Sequence, residues 1–216
     1  MATVAAETHS DQRVVFHDVP WAVYAGLLEA RGEGHVRLTY HRGALEIMTL
    51  SKWHEILSEL LGNFVKVLTR EYGLEVQSAG SMTMHAEELQ SGGEADKSYY
   101  IRHEQFVRER EEYDPAIDPP PDLAVEVDLS SSSSRRMLVF AELGIPELWQ
   151  YDGERLVFKA LGDDGKYHRI EKSLSFAGLA ASDLEGFIHR RGTLGENALD
   201  DELAKWIRTM RKSPPK

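Results

Sequence analysis

The chain has 216 residues, 42% of them hydrophobic and 28% charged, which suits one globular domain with a buried core. It contains no cysteine, which excludes disulfides, iron–sulfur clusters, cysteine-ligated zinc and thiol nucleophiles. A net charge of −11 excludes a general, salt-driven affinity for DNA or membrane, so any contact with nucleic acid has to be local.

Residues 1–12 read as a disordered lead-in. "MATVAAETHSDQR" has no basic start followed by an apolar run, so it is not a secretory signal. No apolar run approaches the ~20 residues that span a bilayer. A soluble, cytoplasmic protein without membrane contact is expected. "HDVPWAVYAGLLEARGEG" starts with Asp18 and Pro20 and ends in glycines, the pattern of a short helix. "HVRLTYHRGALEIMTL" is two alternating runs around Arg42-Gly43, a hairpin. "SKWHEILSELLGNFVKVLTREYG" carries a cap at Ser51 and a helical stripe of Trp53, Ile56, Leu57, Leu60, Phe64, Val67 and Leu68.

Strand-like runs follow at "LEVQSAGSMTMHA", "ADKSYYI" and "DLAVEVDL", the last two separated by the charged segment "RHEQFVREREEYDPAID". Five serines then lead into "RRMLVFAELG", a helix stopped by Gly144. Serines at that place cap the helix and leave its first amides open to an anion. "PELWQYDGERLVFKAL" reads as two strands around an Asp152-Gly153 turn, and "KYHRIEKS" as one more strand. Amphipathic helices near 181–190 and 195–211 close the chain. Residues 13–192 form the expected domain, and 193–216 a C-terminal helix and basic tail. This order of elements predicts an α/β fold with helices packed on a sheet.

On a strand, residues two apart share a face. Asp122, Ala124, Glu126 and Asp128 then lie on one side, and Leu123, Val125, Val127 and Leu129 on the core side. "GGEADKSYYI", read as one strand, puts Glu94 and Asp96 together. If the two strands are neighbours, Asp96, Glu126 and Asp128 converge. Carboxylates ~4 Å apart repel by roughly 4 kcal/mol at an effective dielectric near 20, so such a cluster takes up protons or a cation. Oxygen ligands suit Mg²⁺ or Mn²⁺, which can activate water against a phosphodiester. Asp122, after three prolines, reads as a turn acid rather than a ligand.

Other chemistries fail on spacing. Ser58 stands where a zinc-protease "HExxH" helix needs its second histidine after His54-Glu55. Ser130 to Ser134 have no His/Asp partners in reach of the pattern, and "LGDDGK" lacks the spacing of a phosphate-binding loop.

"GALEIMTLSKWHEILSELL", "GGEADKSYYI" and "PPPDLAVEVDLSSSSSRRMLVFAELGIPELWQYDG" together resemble a large bacterial family of restriction-endonuclease-like proteins in the PD-(D/E)XK nuclease superfamily. The resemblance runs from about Leu38 to Gly153. It implies a restriction-endonuclease-like core, a central mixed sheet flanked by helices, preceded here by the N-terminal helix and hairpin. It also implies Mg²⁺ or Mn²⁺ held by Asp96 and Glu126, and DNA as the partner. The superfamily's simplest pattern has lysine two residues after the second acid, where this chain has Asp128. In this family the basic residue moves to the next helix, four residues before an aromatic, which here is Arg136 before Phe140. Arginine stays protonated, so it can steady transition-state charge but not act as a base.

The expected catalytic set is therefore Asp96, Glu126, Asp128 and Arg136, with Glu46, His54 and Glu94 as candidate accessories. Lys97 points away from Asp96 on a regular strand. The leading expectation is a metal-dependent endonuclease on DNA phosphodiesters. Two alternatives stand beside it: a nuclease-fold binding or regulatory module without cleavage, acting as a homodimer, and a metal-dependent hydrolase of another phosphate ester.

Overall fold

A computed structural model describes residues 11–31, 36–111, 113, 114, 117–129 and 134–212. In chain order it forms β1 (Gln12–Phe16), α1 (Trp21–Arg31), β2 (Val36–His41), β3 (Ala44–Thr49), α2 (Lys52–Tyr72), β4 (Gln77–Gly80), β5 (Thr83–Ala86), β6 (Ser91–Glu94) and β7 (Lys97–Tyr100). It continues with α3 (Glu104–Val107), β8 (Leu123–Val127), α4 (Ser134–Glu142), β9 (Glu147–Tyr151), β10 (Leu156–Leu161), β11 (Tyr167–Ile170), α5 (Ala181–Arg190) and α6 (Glu196–Lys212).

The punctuation residues act where their backbone chemistry requires. Arg42 and Gly43 both take positive φ, 47° and 88°, the geometry of a tight hairpin turn between β2 and β3. Ser51 Oγ accepts the His54 amide at 3.2 Å and so fixes the start of α2. Gly144, at φ 79°, ends α4, and the Ile145 amide then bonds back to the Phe140 carbonyl at 3.1 Å. Of the expected apolar stripe of α2, Leu57, Leu60, Phe64, Val67 and Leu68 are buried, joined by Leu61 and Val65, while Trp53 is 37% exposed with the Arg191 guanidinium over its ring.

The strands form two sheets. One is antiparallel, in the order β1-β3-β2-β6-β5, and the other is mixed, in the order β11-β10-β9-β8-β7-β4. The mixed sheet is the expected central one; its parallel pair is β8 and β9, joined through α4. Helix α4 also packs against β2 and β6, so it lies between the two sheets. On the other side of β8, α2 and α6 close the main core.

This sandwich explains the composition of β8. Leu123, Val125 and Val127 join the core beneath α2 and α6, whereas Ala124 packs with Val139 and Phe140 of α4. All five residues are buried, so Glu126 lies inside the protein rather than on a solvent face. The other sheet covers its far face with α1, through Tyr24 against Leu38, Tyr40 and Leu45.

Three expectations need correction. "GGEADKSYYI" is two strands, with β6 in the antiparallel sheet and β7 in the mixed one; Ala95 and Asp96 form the crossing. Glu94 and Asp96 therefore do not share a strand face. "LEVQSAGSMTMHA" divides in the same way, between β4 and β5. Of the expected disordered lead-in, residues 1–10 lie outside the described residues, but Asp11 is buried and Gln12 begins β1. The C-terminal segment contributes α6, whose Leu199, Leu203 and Ile207 belong to the core; residues 213–216 are outside the description. Among the described residues, no helix is long and apolar enough to cross a membrane.

Phe140 anchors α4, and through it Arg136, to the sheet. Phe140→Ala is expected to lower unfolding free energy by ~3–5 kcal/mol in urea titrations, as for other fully buried aromatics. A loss below about 1 kcal/mol would show that α4 is held in place by something else.

Candidate active site

Antiparallel pairing of β7 with β8 matches Lys97 to Val125 and Ser98 to Ala124, which brings Asp96 beside Glu126. The two residues are tied reciprocally. The Asp96 amide donates to Glu126 Oε1 at 3.1 Å, and Asp96 Oδ2 accepts the Val127 amide at 2.7 Å. Each acid also meets a cation. His54, in the first turn of α2, places Nε2 2.9 Å from Asp96 Oδ1, and Arg136 in α4 places Nε 3.0 Å from Glu126 Oε2. Arg136 Nη2 lies 4.0 Å from Asp128 Oδ1, just past the end of β8.

Behind His54 stands an acid that sequence reasoning did not find. Asp11 Oδ2 is 2.9 Å from His54 Nδ1, and its Oδ1 accepts the Ser51 amide at 2.8 Å. The order of contacts is thus Asp11–His54–Asp96–Glu126–Arg136–Asp128, drawn from β1's leading edge, α2, the β6–β7 crossing, β8 and α4.

Burial dominates the electrostatics. It would push the His54 imidazole down, but the contacts with Asp11 and Asp96 outweigh it and hold the pKa up at about 10. Burial would raise the Asp96 carboxyl, yet His54, Arg136 and the Val127 amide bring it below the usual range. For Glu126 burial prevails: with the Asp96 charge added, its carboxyl is pushed up to about 8 despite Arg136.

Glu126 is 1% exposed, and its Oε2, like Arg136 Nε and like His54 Nε2 beside Asp96, makes no aligned hydrogen bond despite the short separation. A buried carboxylate oxygen in that state still lacks a well-directed positive partner. Together with the all-oxygen donor set at Asp96 and Glu126, this fits a hard divalent cation such as Mg²⁺ or Mn²⁺. Among the described residues, no group of three or more His, Asp or Glu is arranged to hold a metal.

The remaining candidates fall elsewhere. Glu94 is gripped by the Arg31 fork, which also bonds the Val36 carbonyl at 2.6 Å, and by Arg37 at 3.3 Å; it takes no part in the acid cluster. Glu46 in β3 adjoins the site but is engaged by Arg13 and Arg135. Lys97 turns away toward Glu59 of α2, as its strand position predicts. Asp122 binds the amides of Ile101 and His103, a turn role. Ser130–Ser133, the expected capping run, lie outside the described residues.

Lys159 is a further addition. From β10 its Nζ reaches Gln150 Oε1 at 2.6 Å, and Gln150 Nε2 lies 3.5 Å from Asp128 Oδ2. Gln150 pairs in register with Glu126, so a lysine approaches the cluster from two strands away. Burial pushes that amine down, and Asp128 opposes the shift. A contact of this kind has no local sequence signature.

The two sheets with their flanking helices are those of a restriction-endonuclease-like fold. The Uma2 family model, described as "Putative restriction endonuclease", matches residues 25–187, and the chain belongs to that family, which is of the PD-(D/E)XK type. No curated protein matches the chain.

His54 yields a pH prediction. Its raised pKa contributes stability that is complete below pH 6.5 and lost as pH rises through about 10. Glu126 adds a similar loss that is finished soon above about 8. Urea midpoints should therefore keep falling between pH ~8 and ~10 in the wild type and fall less in His54→Gln. Parallel curves for the two proteins would mean that His54 is neutral in the fold.

Proposed function

We propose that the protein is a metal-dependent endonuclease that hydrolyses DNA phosphodiester bonds. The observation that carries this reading is the buried convergence of Asp96 and Glu126, on adjacent antiparallel segments, in a chain of the Uma2 family. Asp96 and Glu126 would hold Mg²⁺ or Mn²⁺. When bound, the cation supplies Lewis-acid polarisation of the phosphoryl group and an acidified water.

The chain's own residues do the remaining work. His54 fixes the rotation of the Asp96 carboxylate, and Asp11 fixes His54. The Val127 and Asp96 amides lock the two acids in register. Arg136, permanently charged, stabilises negative charge developing on the phosphorane oxygens. Asp128 draws the same guanidinium toward the open end of β8 and helps to orient water there.

A second reading has its own support. Both acids already face protein cations, His54 and Arg136, so the cluster holds together electrostatically as it stands. A chain of this kind could keep the fold as a DNA-binding or regulatory module, as a homodimer, without cleavage.

Calorimetric titration with Mn²⁺ separates the two. Glu126, held up at about 8, is largely protonated at pH 7, so cation binding must expel a proton. Titrations in buffers of different ionisation enthalpy should show release approaching one proton per ion. Affinity should improve as pH rises toward 8 and drop at least ~10-fold in Glu126→Gln, about 1.4 kcal/mol. The same wild type should nick plasmid DNA, and the variant should not. Absence of Mn²⁺ binding by the wild type would favour the non-cleaving module; binding without nicking would point to another phosphate ester.

A further inference from the structure

The registers of the mixed sheet carry positive charge toward the acid cluster. Ala124 of β8 pairs with Leu148 of β9, Leu148 with Lys159 of β10, and Lys159 with Arg169 of β11. In the next row Glu126 pairs with Gln150. Paired residues share a face, and so do residues two apart on one strand. Glu126, Gln150, Lys159 and Arg169 therefore all belong to the face on which Ala124 and Leu148 pack against α4.

Lys159 is half-buried on that face, and both contacts of its Nζ are with neutral acceptors. They are Gln150 Oε1 at 2.6 Å and the sulfur of Met137 at 3.1 Å, Met137 being the residue after Arg136. Among the described residues no carboxylate comes within ion-pair distance of this amine, although Asp128 is near enough to support its charge. Arg169 is exposed, and its side chain likewise has no ion pair or hydrogen bond among the described residues.

Two separate penalties therefore fall at one place. A half-buried ammonium lacks a paired anion, and a second cation stands directly opposite it on the next strand. Other cations near the cores are met by acids: Arg31 and Arg37 by Glu94, Lys97 by Glu59, and Arg110 by Asp118. An anion seated between Lys159 and Arg169 would remove both penalties at once. In a chain of net charge −11, such a place is a local exception to the general repulsion of polyanions.

We propose that Lys159 and Arg169 bind a backbone phosphate of the DNA substrate, on the part of the strand that leads away from the Asp96–Glu126 centre. The proposal rests on the reading of the protein as a DNA nuclease. On binding, the Lys159 ammonium turns from Gln150 Oε1 to a phosphate oxygen, and Arg169 adds its N–H donors from the outer side. Gln150, in register with Glu126, then forms the wall between this subsite and the hydrolytic centre.

Anisotropy titrations of the full chain with a labelled duplex of about 30 base pairs, with Ca²⁺ as the divalent cation, test this between ~50 and ~200 mM salt. Each phosphate contact contributes roughly 0.9 to the slope of log K against log salt. Lys159→Met and Arg169→Gln should each lower the slope by about one and weaken binding several-fold at the lower salt. Lys159→Arg should keep the wild-type slope. Arg108→Gln, which removes an exposed charge paired with Glu104, should keep it too. Lys159→Met should leave Mn²⁺ affinity and the urea midpoint no lower than wild type, because it removes a charge that burial disfavours. A lowered midpoint in Lys159→Met, or the wild-type slope in Arg169→Gln, would overturn the subsite while Mn²⁺ binding and nicking by the wild type keep the nuclease reading. A wild type that binds Mn²⁺ but no duplex would remove the DNA reading and this subsite with it.

Discussion

The structure is organised around the burial of two neighbouring carboxylates. Asp96 and Glu126 lie where the chain crosses from one sheet to the other, with almost no access to water. Uncompensated, two such charges would repel by several kcal/mol on top of the desolvation of each. The fold answers from three directions: with charge on His54 from α2 and on Arg136 from α4, and with the amides of Asp96 in the crossing and Val127 in β8. Asp11 in turn holds His54 in its charged form.

Compensation is uneven, and that unevenness is where the chemistry lies. Asp96 has a charged imidazole and a short amide bond, which together hold it ionised. Glu126 has an arginine at ion-pair distance, no better aligned for a hydrogen bond than His54 Nε2 is on Asp96, but burial and the Asp96 charge keep its carboxyl high. One acid is thus fixed and the other is in want of positive charge. A divalent cation held by these two acids would supply the positive charge that the poorer-served partner lacks.

Much of this could be read from the sequence because local signals are strong where backbone chemistry is restrictive. Gly43, Ser51, Gly144 and Gly153 mark the turns and caps where the structure has them. Alternation in "LAVEV" separated Leu123, Val125 and Val127 from Ala124 and Glu126, and their burial in two different cores follows that division. Placing Arg136 one turn before Phe140 also put it on the face that meets Glu126. Alternation says which face a residue occupies, but not which sheet its strand joins. "GGEADKSYYI" therefore looked continuous although the chain changes sheets at Ala95–Asp96, and Glu94 went with the wrong partners. Contacts between distant segments leave no periodic trace either. Asp11 meets His54 across 43 residues, and Lys159 approaches Asp128 through Gln150, so neither could be found from spacing.

The central claim is that Asp96 and Glu126 together form a cation site that Arg136 only partly satisfies. Crystals soaked in Mn²⁺ and measured at the manganese absorption edge test it most directly. The account predicts one strong anomalous peak bonded to both carboxylates, with Arg136 withdrawn from Glu126 Oε2. A map without that peak, with the guanidinium still seated on Glu126, would contradict it.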